Sequence, residues 1–467
     1  MKQVLFNEWH SLVRMGYVLL FIVVPLGIST FLGLQDAQMQ QNRQLEAQRH
    51  IRKQWENMGP SNPHNVAHFG SYAFKPVNAL TALDEGINSS VGNVLRLEGH
   101  VQNEMTYSPG SQTLMLSRFG PLKPALLLQI LIPLVLIFFT FSSVSGEREQ
   151  GRFSLLALQG LSARNLLLGK IVAYWLIGTA LLLLTLGTQW LFFAGDQPGD
   201  LLARSSILFL AYAAFYWIIC ALTVWLSARL KTGAAALTSM LALWALWVVF
   251  LPKIGGTLAE SAHPLPSRQD FKTAMQEDRS QGIDGHNPSD EREKKLRDSV
   301  LTAYGVDSVA ALPINFDGIV MQADEEYGNQ VWDKHFGALF QTLQQQKRTY
   351  QLSGFVNPFA ALQSLSMGAC GTDHLHHAHF QQAAESYRRG LIKALNDKHA
   401  FGGSKTGDWS WEADQAFFNS IADFKYQGTP MAGLFSHYIP DLAALMTWIL
   451  LSTLVLYRGA AKINEPQ

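Results

Sequence analysis

Histidines late in the chain form its densest group of residues that could bind a metal. The group lies within seven residues and comprises Asp373, His374, His376, His377 and His379. On a helix, Asp373, His374 and His377 would share one face, and zinc and copper take imidazole nitrogens and carboxylate oxygens as ligands. The same residues also fit a polar turn followed by a helix, with Asp373 or Thr372 as the N-cap. The pattern fits either this capped helix or a metal site, for which these five residues are the candidate ligands.

Several other chemical signatures are absent from the sequence. Neither an HExxH helix nor a G-x-S-x-G turn occurs. The Gly-Gly-Ser-Lys-Thr run at 402–406 lacks the order and spacing of a phosphate-binding loop. Lys+Arg 36 equal Asp+Glu 36, so the basic surface expected of a nucleic-acid binder is missing. These patterns exclude nucleic acid as a partner and ATP binding through a loop of that kind.

The elements that must position these residues include long stretches without charge. A helix needs about 20 mostly apolar residues to cross a hydrocarbon layer of about 30 Å. Buried helices of soluble proteins are usually shorter, and the first stretch lacks a cleavage site, so it is predicted to be an uncleaved anchor. The predicted spans are residues 15–35, 124–146, 171–195, 205–228, 232–252 and 438–457. The predicted fold class is therefore an all-α polytopic membrane protein with six transmembrane helices.

Lys and Arg beside the spans predict which side each loop faces, because cytoplasmic flanks retain positive charge. Basic residues mark the segments 1–14, 147–170 and 458–467, and the short turn 229–231, as cytoplasmic. Both termini are then expected in the cytoplasm.

The two long segments, 36–123 and 253–437, fall on the opposite side in this topology. They are predicted to pack into one mostly helical extracytoplasmic domain, with helices at 291–303, 324–349 and 379–395. Cys220 lies in a span and Cys370 in this domain, so the two are not expected to form a disulfide.

The cytoplasmic loop from Ser145 to Lys170 carries the second candidate site. It begins acidic, continues into a short apolar helix over 153–158, breaks at Gly160 and restarts behind a capping Ser162. Its apolar residues could rest on the membrane surface. The flanking charges and the tight return also suit a helix that docks in the groove of a partner protein.

This loop resembles a known family. Glu147-x-Glu149-x-Gly151-Arg152-Phe153, then Leu155-Leu156, Ser162-x-Arg164 and Leu168-Gly169-Lys170, is similar to the coupling loop of ABC-2 type permeases, the membrane subunits of ABC transporters. The outer segments resemble a bacterial subgroup of these permeases with a large uncharacterised extracytoplasmic domain. Pro63-His64-x-x-Ala67-His68-Phe69-Gly70, Leu312-Pro313-x-Asn315-Phe316 and Gly371-Thr372-Asp373 carry that second likeness.

The resemblance implies a function and a set of partners. The chain would be a permease subunit of the bacterial inner membrane, paired with an identical or related permease, and would not itself be an enzyme. A separate ATP-binding subunit would supply ATP and Mg²⁺, and its closure would drive export or mechanical work on a periplasmic partner. The residues implied in coupling are Glu147, Glu149, Gly151, Arg152, Phe153, Leu156 and Arg164. The alternative is a membrane-anchored metal-binding or assembly factor without transport.

Overall fold

The protein is represented by a computed structural model that describes residues 2–14, 16–78, 80–105, 122–153, 162–193 and 198–463. Leu156 lies outside these residues. Within them the helices are α1 (Lys2–Arg14), α2 (Gly16–Glu56), α3 (Pro63–Phe69), α4 (Asn88–Val91), α5 (Pro124–Leu126), α6 (Ile132–Thr140), α7 (Ser145–Glu149), α8 (Ala163–Phe193), α9 (Pro198–Arg229), α10 (Gly233–Ala245), α11 (Leu251–Ala262), α12 (Arg268–Gln281), α13 (Ser289–Tyr304), α14 (Phe316–Leu352), α15 (Pro358–Cys370), α16 (His374–Phe401), α17 (Gln415–Ser420), α18 (Met431–Leu434) and α19 (Ile439–Ile463).

Among the described residues, six helical segments are long and apolar enough to cross a membrane, which confirms the predicted all-α polytopic fold class. They are Leu20–Glu56, Pro124–Glu149, Ala163–Leu191, Gly199–Arg229, Gly233–Ala262 and Met431–Arg458. In chain order we call them spans one to six. Spans three and four are the most deeply covered by the rest of the chain, and span five is the least, with 17% of its apolar window buried.

Two of the spans contain one turn of π-helix, and proline explains both. Leu127–Leu131 joins α5 to α6, and Leu246–Phe250 joins α10 to α11. Pro133 and Pro252 follow these segments closely, and a proline has no N–H to offer the carbonyl four residues before it. The backbone widens locally instead, as it often does at functional positions in helices.

Span one does not end at the membrane. Helix α2 continues from the apolar stretch through the Gln- and Arg-rich run to Glu56, where Gly59 and Pro60 follow. At 1.5 Å per residue its 41 residues extend about 60 Å, roughly twice the hydrocarbon thickness. One continuous helix therefore links the span to the polar part of the chain.

The polar part of the chain comprises residues 37–105, 263–357 and 371–430, and we call it the polar domain. Its helices surround a small antiparallel sheet of β1 (Ser71–Phe74), β2 (Val94–Glu98) and β3 (Val101–Gln102), in the order β1-β2-β3. Leu95 and Leu97 of β2 pack with Phe380 and Ala384 of α16. The sheet is a feature that the helical patterns of the sequence did not predict.

The main helices of the polar domain are longer than their sequence patterns. The pattern predicted at 324–349 begins at Phe316, because the Asn315 side chain accepts a hydrogen bond from Asp317 N and caps the helix. The pattern predicted at 379–395 spans His374–Phe401, with Asp373 as its N-cap. The acid at 373 therefore begins a helix, as the structural alternative for this run required.

Helix α15 is the main departure from the domain boundaries drawn from sequence. Residues 253–437 were assigned to the extracytoplasmic domain, yet α15 packs against α9 and α19 inside the bundle of spans. Phe359, Leu362, Leu365 and Cys370 are all at most 2% exposed and belong to the same core cluster as the spans. At 13 residues α15 is about 20 Å long, too short to cross a membrane, so it is a buried helix inserted into the bundle.

Candidate functional site

The loop from Ser145 to Lys170 is the candidate coupling segment. It begins with α7, which packs against the turn between spans four and five. Ser145 N donates to Ser227 Oγ at 3.1 Å, near the end of α9. The Arg148 guanidinium donates to the carbonyl oxygen of Ala228 at 2.7 Å and to that of Leu230 at 3.2 Å. These carbonyls lie at the end of a helix, where a cation is favoured by the helix dipole and satisfies acceptors left without helical partners.

Glu149 makes the complementary contact at the beginning of span five. Its carboxylate accepts a hydrogen bond from Gly233 N at 2.8 Å, at the N-terminus of α10. An anion is favoured there for the same electrostatic reason. Arg148 and Glu149 thus join α7 to two spans at once. The resemblance had implied a role in partner binding for Glu149, whereas the structure shows its carboxylate bound within the chain.

Glu147 connects the segment to span three and to α1. Its carboxylate lies 2.9 Å from Arg152 Nε and 3.7 Å from Lys170 Nζ. Lys170 is nearly buried and contacts Glu8 of α1 at 2.5 Å, and Glu8 also accepts a hydrogen bond from Tyr174 at 2.6 Å. The N-terminal helix is therefore tied to the segment by an ion-pair chain.

The remaining implied coupling residues differ in exposure. Gly151 adopts a φ of 69°, which turns the chain after α7. Phe153 packs against the core of the spans, with the Arg148 guanidinium 6.0 Å from its ring. Arg152 and Arg164 are exposed, and the Arg164 guanidinium lies 5.3 Å from the Tyr457 ring of span six. Arg148 is exposed as well, but it binds the end of α9, so a partner could engage Arg152 and Arg164 without disrupting that contact.

The comparisons with known proteins bear on this segment. Residues 94–266, which include spans two to five and the coupling segment, match the family model of ABC-2 family transporter protein. Residues 268–427 match that of a domain of unknown function (DUF3526). The resemblance to ABC-2 permeases with an additional domain is confirmed. No curated protein matches the chain. The match of residues 94–266 to this permease family implies an ABC ATP-binding subunit as partner.

The histidines predicted as a metal site mostly bind within the protein. Asp373 Oδ1 lies 2.7 Å from His376 Nδ1, and Asp373 Oδ2 accepts hydrogen bonds from Lys347 at 3.0 Å and Tyr438 at 2.8 Å. Burial would raise the pKa of Asp373, but His376 and Lys347 hold it well below its usual range.

The other predicted histidines do not gather with Asp373. His379 Nδ1 is 2.9 Å from the Tyr426 hydroxyl. His374 and His377 are largely buried, and burial, with smaller contributions from nearby cations, lowers the pKa of each to about 4. Within the described residues, the donor atoms of 373–379 do not form a group close enough to hold one ion.

A different group of histidines does come together in the polar domain. One ring nitrogen each from His64, His68 and His100 lies within 4.8 Å of the others. Burial, together with the neighbouring His68 and His100 rings, lowers the pKa of His64 to about 4. The sequence shows His64 and His68 only within a motif of the family likeness. Their spacing of four residues predicts that they share a helix face, whereas nothing in the sequence indicates His100, which the β2–β3 turn places beside them.

A buried polar network lies where α15 meets spans two and four. Gln129, in the π-turn of span two, donates to Tyr212 of span four at 2.9 Å. The Tyr212 hydroxyl is 2.9 Å from Ser366 Oγ of α15, which donates to Asp84 Oδ2 at 2.5 Å. Burial raises the pKa of Asp84. The hydrogen bond between Gln129 and Tyr212 joins spans two and four and gives the buried amide a partner.

Proposed function

We propose that this chain is the membrane subunit of an ABC transporter of the bacterial inner membrane, and that its coupling segment docks on a separate ATP-binding subunit. The observation that carries the proposal is the double attachment of α7. Arg148 binds the end of span four, and Glu149 binds the beginning of span five. In this proposal the segment, both termini and α1 face the cytoplasm.

The double attachment explains how a movement of the partner would reach the membrane. ATP and Mg²⁺ bound by that subunit supply the driving force. A displacement of α7 pulls on the ends of α9 and α10 together, because both ends are hydrogen-bonded to adjacent residues of α7. The Glu147–Lys170–Glu8 chain passes the same displacement to α1. Spans four and five would then shift against the rest of the bundle and change the side to which a path opens.

A second permease, identical or related, completes the proposed assembly. Span five is covered by its own chain over only 17% of its apolar window, so most of its surface is left for lipid and a second subunit. Leu246, Val249, Phe250 and Leu258 all expose large apolar side chains on it. A path would form between the two permeases.

The same assembly would also transmit movement into the polar domain. Helix α11 continues span five to Ala262, and α2 continues span one to Glu56. Gln351 of α14 donates to Asp441 of span six at 2.6 Å. Continuous helices and buried hydrogen bonds favour mechanical work on an extracytoplasmic partner alongside export, because neither connection is a flexible linker.

The alternative function, a membrane-anchored metal-binding or assembly factor without transport, is favoured by the histidine group in the polar domain. The two functions differ in one requirement. A permease subunit needs a bound ATPase, and a metal-binding factor does not.

The test compares exposed charge reversals in full-length tagged protein purified in mild detergent. Arg152→Glu/Arg164→Glu reverses the charge of two exposed cations of the coupling segment, and Arg268→Glu/Arg297→Glu is the matched control on the polar domain. We expect vanadate-sensitive ATPase activity to co-purify with the wild type and the control and to be lost from the first variant. Equal activity in both variants, at equal melting temperature, would place the partner elsewhere. Its absence from the wild type would contradict the permease function.

A second variant separates binding from coupling. Glu149→Ala removes the bond to span five and leaves both exposed arginines. We expect the ATPase to remain bound while the ATP-dependent change in trypsin cleavage of the polar domain disappears. An unchanged cleavage response would show that α7 transmits no movement through this contact.

A further inference from the structure

We propose that His64, His68 and His100 form a site for a divalent transition metal of the zinc class in the polar domain. The three ring nitrogens come from two separate elements and lie within 4.8 Å of one another. Neutral imidazole nitrogen is the ligand that zinc and its neighbours in the first transition row share. The proposal goes beyond the coupling function and does not depend on it.

Helix α3 presents two of the ligands side by side. Asn62 caps the helix by accepting from His64 N, and Pro63 occupies its first position. His64 and His68 are four residues apart and so lie on one face. Their Nε2 atoms are 3.1 Å apart. Two nitrogens bound tetrahedrally to zinc at 2.0–2.1 Å are separated by about 3.3 Å, so this pair needs almost no adjustment.

The third ligand is delivered by the turn between β2 and β3. Gly99 N donates to the carbonyl oxygen of Ala67 at 2.9 Å, which fixes the turn against α3. His100 has a φ of 64° and is the one non-glycine residue with a positive φ among those the structure describes. A non-glycine backbone persists in this conformation only where the surrounding structure holds it there. Such strain concentrates at functional positions.

The Glu325 carboxylate contacts the His100 ring and fixes its orientation. Its Oε1 atom is 3.1 Å from His100 Nδ1 and also accepts from His100 N. The other carboxylate oxygen lies 3.1 Å from Arg388, which keeps the group ionised. A carboxylate on Nδ1 fixes the tautomer that leaves Nε2 free as a ligand, and this partner is typical of metal-bound histidine.

The environment leaves one coordination position open. His64 is half-buried beside the Trp409 ring, at a centroid distance of 5.4 Å, whereas His68 is exposed. Within the described chain no fourth His, Cys, Asp or Glu side chain joins the group. Three histidines with an open fourth position toward solvent is the arrangement of zinc sites that exchange water or a substrate.

The test measures zinc binding to the full-length protein in detergent after chelator stripping. Zn²⁺ is titrated in competition with a chromophoric chelator, and bound metal is counted by mass spectrometry. We expect one zinc per wild-type chain. We expect no stoichiometric zinc in His68→Ala/His100→Ala, and unchanged binding in the control His286→Ala, which removes an exposed histidine outside the group. Glu325→Gln should weaken binding about 10- to 100-fold.

Two further measurements keep the outcome decisive. Single His68→Ala removes only an exposed ring, so its metal-free melting temperature should equal that of the wild type while zinc affinity falls. Co²⁺ should give the intense d–d absorption of four-coordinate cobalt in the wild type and in the His286→Ala control, and not in His68→Ala/His100→Ala. The proposal is overturned if the wild type binds no zinc, or if His68→Ala/His100→Ala binds as the wild type does. It is also overturned if zinc is lost from His374→Ala/His377→Ala instead.

Discussion

Replacement of Arg388 by Met should destabilise the polar domain more than any surface substitution of the same kind. The Arg388 side chain is 1% exposed and lies between two carboxylates. It donates to both oxygens of Glu385 at 2.8 Å and to Glu325 Oε2 at 3.1 Å. Its guanidinium is also 4.8 Å from the Trp332 ring. Burial would lower the pKa of Arg388, but Glu385 and Glu325 raise it, so the guanidinium stays charged.

The magnitude follows from what Arg388→Met leaves behind. Both carboxylates remain buried, at 3% and 8% side-chain exposure, and lose their buried counter-ion. Glu325 then keeps only its contact with His100, and Glu385 only its ion pair with the more exposed Arg389. Breaking a buried ion pair by removing one partner costs about 3–5 kcal/mol. For a domain of this size each kcal/mol lowers the melting temperature by about 2–4 °C, which gives a decrease of about 6–20 °C. Arg388→Lys retains the charge but not the forked geometry of the guanidinium. Its melting temperature should lie between those of the wild type and Arg388→Met.

The assay is thermal unfolding of the full-length protein in detergent and metal-free buffer, followed by tryptophan fluorescence. The matched control is Arg297→Met, whose side chain is 47% exposed and should change stability by less than about 0.5 kcal/mol. Arg388→Met/Glu325→Gln should recover part of the loss, because one stranded charge is removed with its partner. Equal melting temperatures for Arg388→Met and Arg297→Met would refute the reasoning.

Two further predictions concern α15 and its contacts. Gly368→Ala should destabilise the protein by about 1–3 kcal/mol, because a Cβ there would overlap the buried Tyr438 ring, whereas Gly390→Ala meets open space and should be tolerated in a thermal melt. Burial raises the pKa of Asp84, so the folded state holds this proton to higher pH than the unfolded state. The protonated Asp84 carboxyl therefore contributes its full share to the free energy of unfolding below the ordinary pKa of 3.8, and this share declines as pH rises toward the pKa of the folded state. In melting temperatures measured against pH, Asp84→Asn should remove this decline.

The membrane part of the fold could be predicted from sequence because its signal is local. An uncharged stretch of sufficient length identifies a span without reference to any other residue. The same rule could have identified α15, since 24 uncharged residues lie between Arg348 and Asp373. Length alone does not tell a span from a helix that enters the bundle and returns, because the return depends on Asn357 bonding to the Trp247 carbonyl of span five.

The polar sites were harder to predict because their partners are distant in sequence. His100 joins His64 and His68 only through a short turn between strands of at most five residues, which are too short to show a clear alternating pattern. Arg148 was read as one more cytoplasmic charge, and its bonds to the end of α9 could not be inferred from spacing. The composition of the run at 373–379 suggested a metal site. In the structure its acid, Asp373, is the N-cap of α16.

The joint between α15 and α16 explains how spans and polar domain would move together in the proposed mechanism. Arg204 of span four donates to the carbonyl oxygens of Ala369 at 3.2 Å and Thr429 at 2.7 Å. Asp373, next to this joint, accepts from Tyr438 of span six. Spans four and six thus hold the same short stretch of chain, and α16 extends 28 residues from it through the core of the polar domain. A shift of span four driven through Arg148 would tilt α16 at its base, so a small displacement near the joint becomes a larger one at its far end.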